Sequence, residues 1–298
     1  MRTLKVYFII SLIASVFASC DLFFPYSLED APQAPETENP PVDDSQTDTD
    51  EPTPEPVDLF GTFLIGVGKY VKFAPGNLQY NAYLDEWRFA QNQYDVIGYE
   101  NGNISSTYKG WIDLFGWGTG DSPTKKSQYS SDYTYFTDWG DNIIGNDPKN
   151  TWRTLTSEEW SMIRASSKIG LGMIEGVPGI ILLPAQWERP SNVTFNSGFG
   201  DGFHQNEYTK EKWQLMESAG AVFLPRTGYR KGTSYYSQSS GYYWSRSMEN
   251  KYSYNESGNR NYYYYYSFSS STNKVETYEH TNSYYGYAVR LVKEIRTY

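Results

Sequence analysis

The sequence predicts an α+β fold, on three observations. Short runs of aromatic and β-branched residues alternate with Gly, Asn, Ser and Asp, as strands alternate with turns. Two segments carry the signals that start a helix. No period of solenoid or propeller length recurs along the chain. In chain order, strands are expected near Gly61–Ile65, Val71–Phe73, Asn77–Tyr80 and Trp87–Ala90. Thr156, Ser157, Glu158 and Glu159 have capping-box spacing, and Trp160 and Ile163 then share one helical face. A strand follows at Ile180–Pro184. Thr209 opens a second helix, in which Trp213 and Met216 lie three apart and Gly220 ends the run. Further strands are expected at Ala221–Pro225, Gly241–Ser245, Tyr262–Ser269, Lys274–Glu279 and Tyr287–Val292.

This globular part is expected to span residues 59–298 as one domain, long enough to bury a core. What precedes it reads differently. Arg2 and Lys5 precede an apolar run of 12 residues, Val6 to Phe17, and Ala18, Ser19 and Cys20 follow. That order is the layout of an export signal. The run is shorter than the ~20 residues a helix needs to cross a bilayer. Cys20 is the only cysteine, so it has no internal disulfide partner. The segment resembles a bacterial lipobox, with Phe17 where Leu is commoner. The resemblance implies a signal peptide over residues 1–19 and Cys20 as lipid anchor, acylated and held at a bacterial envelope membrane. The expected location is the surface of the outer membrane.

Residues 20–58 are expected to form a disordered tether. Twelve acidic residues lie between Asp21 and Asp58, with no Lys or Arg, among Pro, Thr and Gln. The chain has 25 basic and 35 acidic residues. Setting aside Arg2, Lys5 and the twelve tether acids leaves 23 of each sign, so the globular part is close to neutral. The basic patch that a nucleic-acid partner needs is missing from the pattern.

Three ordered motifs point to a family. Trp152-Arg153-Thr154-Leu155-Thr156-Ser157-Glu158-Glu159-Trp160 resembles a segment of the formylglycine-generating-enzyme-like superfamily, and Gly241–Ser245 resembles its later G-x-Y-W-S strand. Tyr285–Val292 is similar to its closing strand, and Phe73–Tyr80 and Trp111–Gly118 resemble related surface-domain families of gut-type bacteria. The resemblance covers most of residues 70–293 and implies a C-type-lectin-like fold with long irregular loops. The family's oxidase activity needs active-site cysteines that hold copper, and Cys20 is spent on the anchor, so the resemblance implies a non-catalytic domain. Arg153 and Arg290 are each expected to pack on aromatic faces and to pair with a carboxylate such as Glu158 or Glu159. Trp160 and Trp244 are expected in the core.

Other chemistry has little support. His204 and His280 stand far apart with no metal-ligand spacing. No serine sits in a nucleophile elbow, and the glycine clusters 116–120 and 198–202 lack the context of a phosphate loop. The expected function is recognition, so the chain is read as no enzyme. Twenty-nine tyrosines exceed what one core can hide. Tyr235, Tyr236, Tyr242, Tyr243, Tyr262, Tyr264 and Tyr266 are the candidate ligand face, since rigid rings among Ser, Gly and Asn suit adaptable recognition. Alternation predicts Tyr262, Tyr264 and Tyr266 on one side of a strand, Tyr263 and Tyr265 on the other, and one set facing solvent. The expected ligand is a glycan or a protein. The alternatives are a tyrosine-rich sheet whose hydroxyls only keep it soluble, and a subunit of a fimbria-like surface assembly. Asp138, Asp141, Asn142 and Asp147 offer hard oxygens that calcium would accept, or else an Asx-rich turn.

Overall fold

A computed structural model of the chain describes residues 59–253, 258–269 and 274–295. The apolar N-terminal segment, Cys20 and the acidic stretch to residue 58 lie outside the described residues. Strands β1 (Phe63–Gly66), β2 (Lys69–Phe73), β3 (Leu78–Asn81), β4 (Glu86–Phe89) and β5 (Trp111–Ile112) come first. A loop-rich stretch leads to helix α1 (Ser157–Ser166), the hairpin β6 (Lys168–Ile174) and β7 (Val177–Leu183), the short β8 (Glu207–Tyr208) and helix α2 (Lys210–Ser218). The rest is strand: β9 (Val222–Pro225), β10 (Tyr229–Lys231), β11 (Ser234–Tyr236), β12 (Ser240–Ser253), β13 (Gly258–Ser269), β14 (Lys274–Thr281), β15 (Tyr285–Gly286) and β16 (Val292–Ile295). They form five small sheets, ordered β1-β2-β16, β4-β3-β5, β8-β6-β7-β9, β11-β10-β15 and β12-β13-β14.

This corrects the α+β expectation, and with it the class that the family resemblance implied: the described residues are mainly β. The two α-helices contribute ten and nine residues. Capping signals locate the start of a helix but say nothing of how much chain follows in helical form. Stretches read as loop also turn out to be paired. Lys168–Ile174 is a strand although it carries Gly170 and Gly172, residues that weaken a strand reading. Both glycines lie where a Cβ would meet the Asn196 or Asn206 carbonyl oxygen at 2.6 and 2.7 Å, so close backbone approach requires them. The strand expected at Tyr287–Val292 is instead broken: β15 pairs with β10, β16 pairs with β2, and only single bridges join Tyr287 to Phe115 and Ala288 to Tyr243.

The helix starts form as the sequence dictates. Thr156 Oγ1 accepts from the Glu159 amide, and the Glu159 carboxylate accepts from the Thr156 amide at 2.8 Å. Glu159 also takes two hydrogen bonds from Arg153, at 2.8 and 2.7 Å, so the cap and the preceding loop are fixed together. Arg290 departs from expectation. Buried, and without a carboxylate partner among the described residues, it donates to Asn77 Oδ1 and to the carbonyls of Ala74, Gln93 and Phe223.

Two aromatic-rich cores meet at β13. Its Tyr266 and Phe268 join one cluster, with Trp160, Tyr243 and the β6–β7 leucines and isoleucines. Tyr263 and Tyr265 point the other way, into a second cluster with Trp117, Trp139, Trp244 and Tyr287. A third, smaller cluster packs α2 through Trp213 and Met216 onto β7 and β9. Among the described residues no helix is long and apolar enough to cross a membrane.

Candidate ligand-binding groove

The tyrosines singled out in the sequence divide into three groups. Tyr243, Tyr264 and Tyr266 are interior residues, as are Tyr263 and Tyr265. The strand alternation is real, but β13 is the central strand of its sheet and both its faces are covered, so of the two sets only Tyr262, near the start of the run, reaches the surface. Tyr243 donates its hydroxyl to the Pro225 carbonyl at 2.7 Å, and Tyr266 stacks on Trp160 with centroids 4.6 Å apart. Burial raises the hydroxyl pKa of both.

Tyr235, Tyr236 and Tyr242 form the second group and are partly accessible. Their rings are engaged with other rings. Tyr236 stacks on Tyr229 at 4.9 Å, and Tyr242 stacks on Tyr287 at 5.0 Å. Tyr285 lies parallel to Tyr287 and edge-on to Tyr229. Tyr235 packs against Tyr99 and gives its hydroxyl to the Thr227 carbonyl. Ring faces consumed in this way leave mainly edges and hydroxyls to the outside, which suits solubility better than stacking of a ligand. The tryptophans are no more available: seven of the nine are buried.

Tyr262 is the third case, and it leads to a different site. It lines a surface groove of about 770 Å³, between the 128–134 loop, the β12–β13 hairpin and the turn at 282–284. That size falls within the range of small-ligand sites. Four tyrosines line it: Tyr129, Tyr262, Tyr284 and the buried Tyr263. Tyr129 is 73% exposed and stacks on no other ring among the described residues. Four side-chain amides line it too, Gln128, Asn250, Asn261 and Asn282. Arg260 is the one charged residue among its described lining.

Three of these amides, Asn250, Asn261 and Asn282, are held by hydrogen bonds. Asn250 and Asn261 face each other across the β12–β13 pairing, and Asn250 Nδ2 donates to Asn261 Oδ1 at 2.6 Å. Asn261 in turn donates to the Tyr263 hydroxyl, which reaches the Tyr133 carbonyl. On the opposite wall Asn282 donates to the Tyr284 hydroxyl and accepts from Ser130 Oγ, and Ser283 ties the turn to the Ser130 carbonyl. Lys231 Nζ sits over the Tyr284 ring, 5.6 Å from its centroid. The result is a surface of planar rings and amides with Arg260 as its one charge among the described lining, able to stack on an apolar face and to exchange hydrogen bonds with hydroxyls. Sequence reading found Tyr262 alone here. Gln128, Tyr129, Asn250, Asn282 and Tyr284 come from three separate segments, and no spacing in the sequence links them.

The proposed calcium ligands are used otherwise. Asp138 caps a single 3₁₀ turn, accepting from the Gly140 amide at 3.1 Å, and it also accepts from Thr154 N and Thr154 Oγ1. Gly140 has no room for a side chain there, since a Cβ would lie 1.8 Å from the Trp152 carbonyl oxygen. Asn142 donates its amide to the Gly120 and Trp139 carbonyls, and Asp147 accepts from Trp152 Nε1 at 2.8 Å. Asp141 is exposed on the same turn. Among the described residues no group of three or more His, Cys, Asp or Glu is placed to hold a metal ion.

In comparisons with known proteins the chain matches no family model, no curated protein and no solved structure.

Proposed function

We propose that this protein is a recognition protein whose β-rich domain binds a saccharide chain in the groove between Tyr129, Tyr262 and Tyr284. The observation that carries the reading is the composition of that groove: four tyrosines and four side-chain amides, three of them held by hydrogen bonds, around a nearly neutral surface. Sugars present apolar ring faces flanked by hydroxyls, and this lining answers both. The domain acts by binding rather than by catalysis. It is held at a bacterial envelope surface by lipid on Cys20, with residues 20–58 as spacer. The motif resemblance to non-catalytic members of the formylglycine-generating-enzyme-like superfamily supports the same reading.

The test is calorimetric titration of the full chain with neutral oligosaccharides, native against Tyr129→Ala and Asn261→Ala. Losing one ring–ligand contact of about 1.4 kcal/mol weakens binding about tenfold, so the Tyr129 variant should bind about tenfold more weakly with its melting temperature unchanged. Binding that ignores both substitutions, or no binding at millimolar sugar, overturns the proposal and turns attention to a protein partner.

A further inference from the structure

A second groove lies on the β3–β4–β5 sheet. Arg88 of β4 stands opposite Gln79 of β3, and Trp111 of β5 pairs beside Asn81 on the other side of β3. Arg88 and Trp111 meet over the central strand, with the guanidinium carbon 3.7 Å from the indole centroid. Arg88 Nε donates to Gln79 Oε1 at 2.9 Å. The guanidinium is thus fixed in plane and in rotation, although Arg88 is an exposed residue. Gln79 is only 3% exposed, yet it lines the groove with Arg88. Neither its Nε2 nor the two terminal nitrogens of Arg88 donates a hydrogen bond among the described residues, and no carboxylate lies within ion-pair distance of Arg88. Three oriented donors therefore border a cavity of about 830 Å³ with no acceptor answering them.

We infer that this groove is a second ligand site, distinct from the tyrosine groove, that takes the carboxylate of a hexuronate-type sugar. A flat guanidinium with both terminal nitrogens available matches the two oxygens of a carboxylate. The rest of the lining sets the class. Asp95 and Glu175 also border the groove, so it carries one positive and two negative side chains, which disfavours a dianion such as a phosphate or sulfate ester. Asp95 and Glu175 each accept backbone N–H bonds, from Asn92 and Lys210, and their remaining lone pairs suit sugar hydroxyls. Phe89 and Val177 supply apolar surface for the ring.

The experiment is calorimetric titration of the full chain with an oligogalacturonate, its neutral galactose counterpart, and a short peptide of neutral residues with a free C-terminus. The native chain should bind the uronate and neither of the others at this site. Arg88→Gln should abolish uronate binding. Arg88→Lys, which keeps the charge but loses the fork, should weaken it about tenfold. Tyr129→Ala should leave it unchanged, which separates failure here from failure of the tyrosine groove. Both Arg88 variants lose the bond to Gln79, so each is first shown by its melting curve to be folded at the titration temperature, and a uronate affinity equal in Arg88→Gln and native protein overturns the inference. So does a peptide that binds as tightly as the uronate, or a Lys variant that binds as well as Arg88.

Discussion

Arg290 Nε donates to Asn77 Oδ1 at 3.0 Å, joining two buried residues 213 positions apart. The same guanidinium holds the carbonyls of Ala74, Gln93 and Phe223, so one side chain ties the start, the middle and the end of the domain together. Burial lowers its pKa to about 10, still well above neutrality, and the charge is carried by carbonyl dipoles rather than by an acid. Arg290→Met should leave those acceptors unanswered and cost about 3–5 kcal/mol, the range for breaking a buried charged network. Urea denaturation of the two chains measures it, and a loss below 1 kcal/mol would show the network to be dispensable.

Asp113 is buried, and among the described residues it has no ion-pair partner. Its carboxylate accepts from the Ile97 amide at 2.9 Å and from Asn101 Nδ2 at 2.7 Å, but burial dominates and pushes its pKa up to about 6. An unfolded aspartate titrates near 3.9. Between these values the folded chain holds a proton that the unfolded chain has released, so Asp113 makes stability fall as pH rises through the window. The stability of native protein minus that of Asp113→Asn should therefore drop by on the order of 3 kcal/mol between about pH 4 and pH 7. Parallel stability profiles for the two chains would contradict the assignment.

Tyr266 stacks on Trp160, yet its buried hydroxyl has no hydrogen-bond partner among the described residues. A buried polar group left unpaired costs about 1–3 kcal/mol. Tyr266→Phe keeps the ring and removes the hydroxyl, and should raise stability by about 1 kcal/mol, read as a higher denaturation midpoint. A fall in the midpoint would mean that the hydroxyl is satisfied.

Asp138 binds its own loop. Removing a capping carboxylate with further buried partners costs about 2 kcal/mol, so Asp138→Ala should lower stability by that amount. The decrement should be the same in calcium and in chelator. A chelator-sensitive melting temperature in the native chain would restore the metal reading of this loop.

The elements legible in the sequence were those with local causes. The Thr156–Glu159 box and the Thr209 cap are written within four residues, and both form where expected. Most strand positions were also legible, because aromatic runs and turn residues alternate along the chain. Fold class was not, because it depends on pairings such as β16 with β2 that join distant segments. The tyrosine run of β13 shows the same limit. Periodicity told which residues share a face, but not that a second core covers the face expected to be open. The groove was the least legible, since Tyr129, Asn250 and Tyr284 acquire a common surface only when three segments meet.

The closing strands bear on how the chain comes into being. A ribosome delivers β2 more than two hundred residues before β16, its second neighbour in the sheet. Strand β10 likewise waits for β15, and the carbonyls of Ala74, Gln93 and Phe223 wait for Arg290. Vectorial synthesis therefore leaves the first sheet incomplete until the last dozen described residues are available. The third strand of that sheet and the Arg290 contacts can form only once nearly the whole domain has been synthesised.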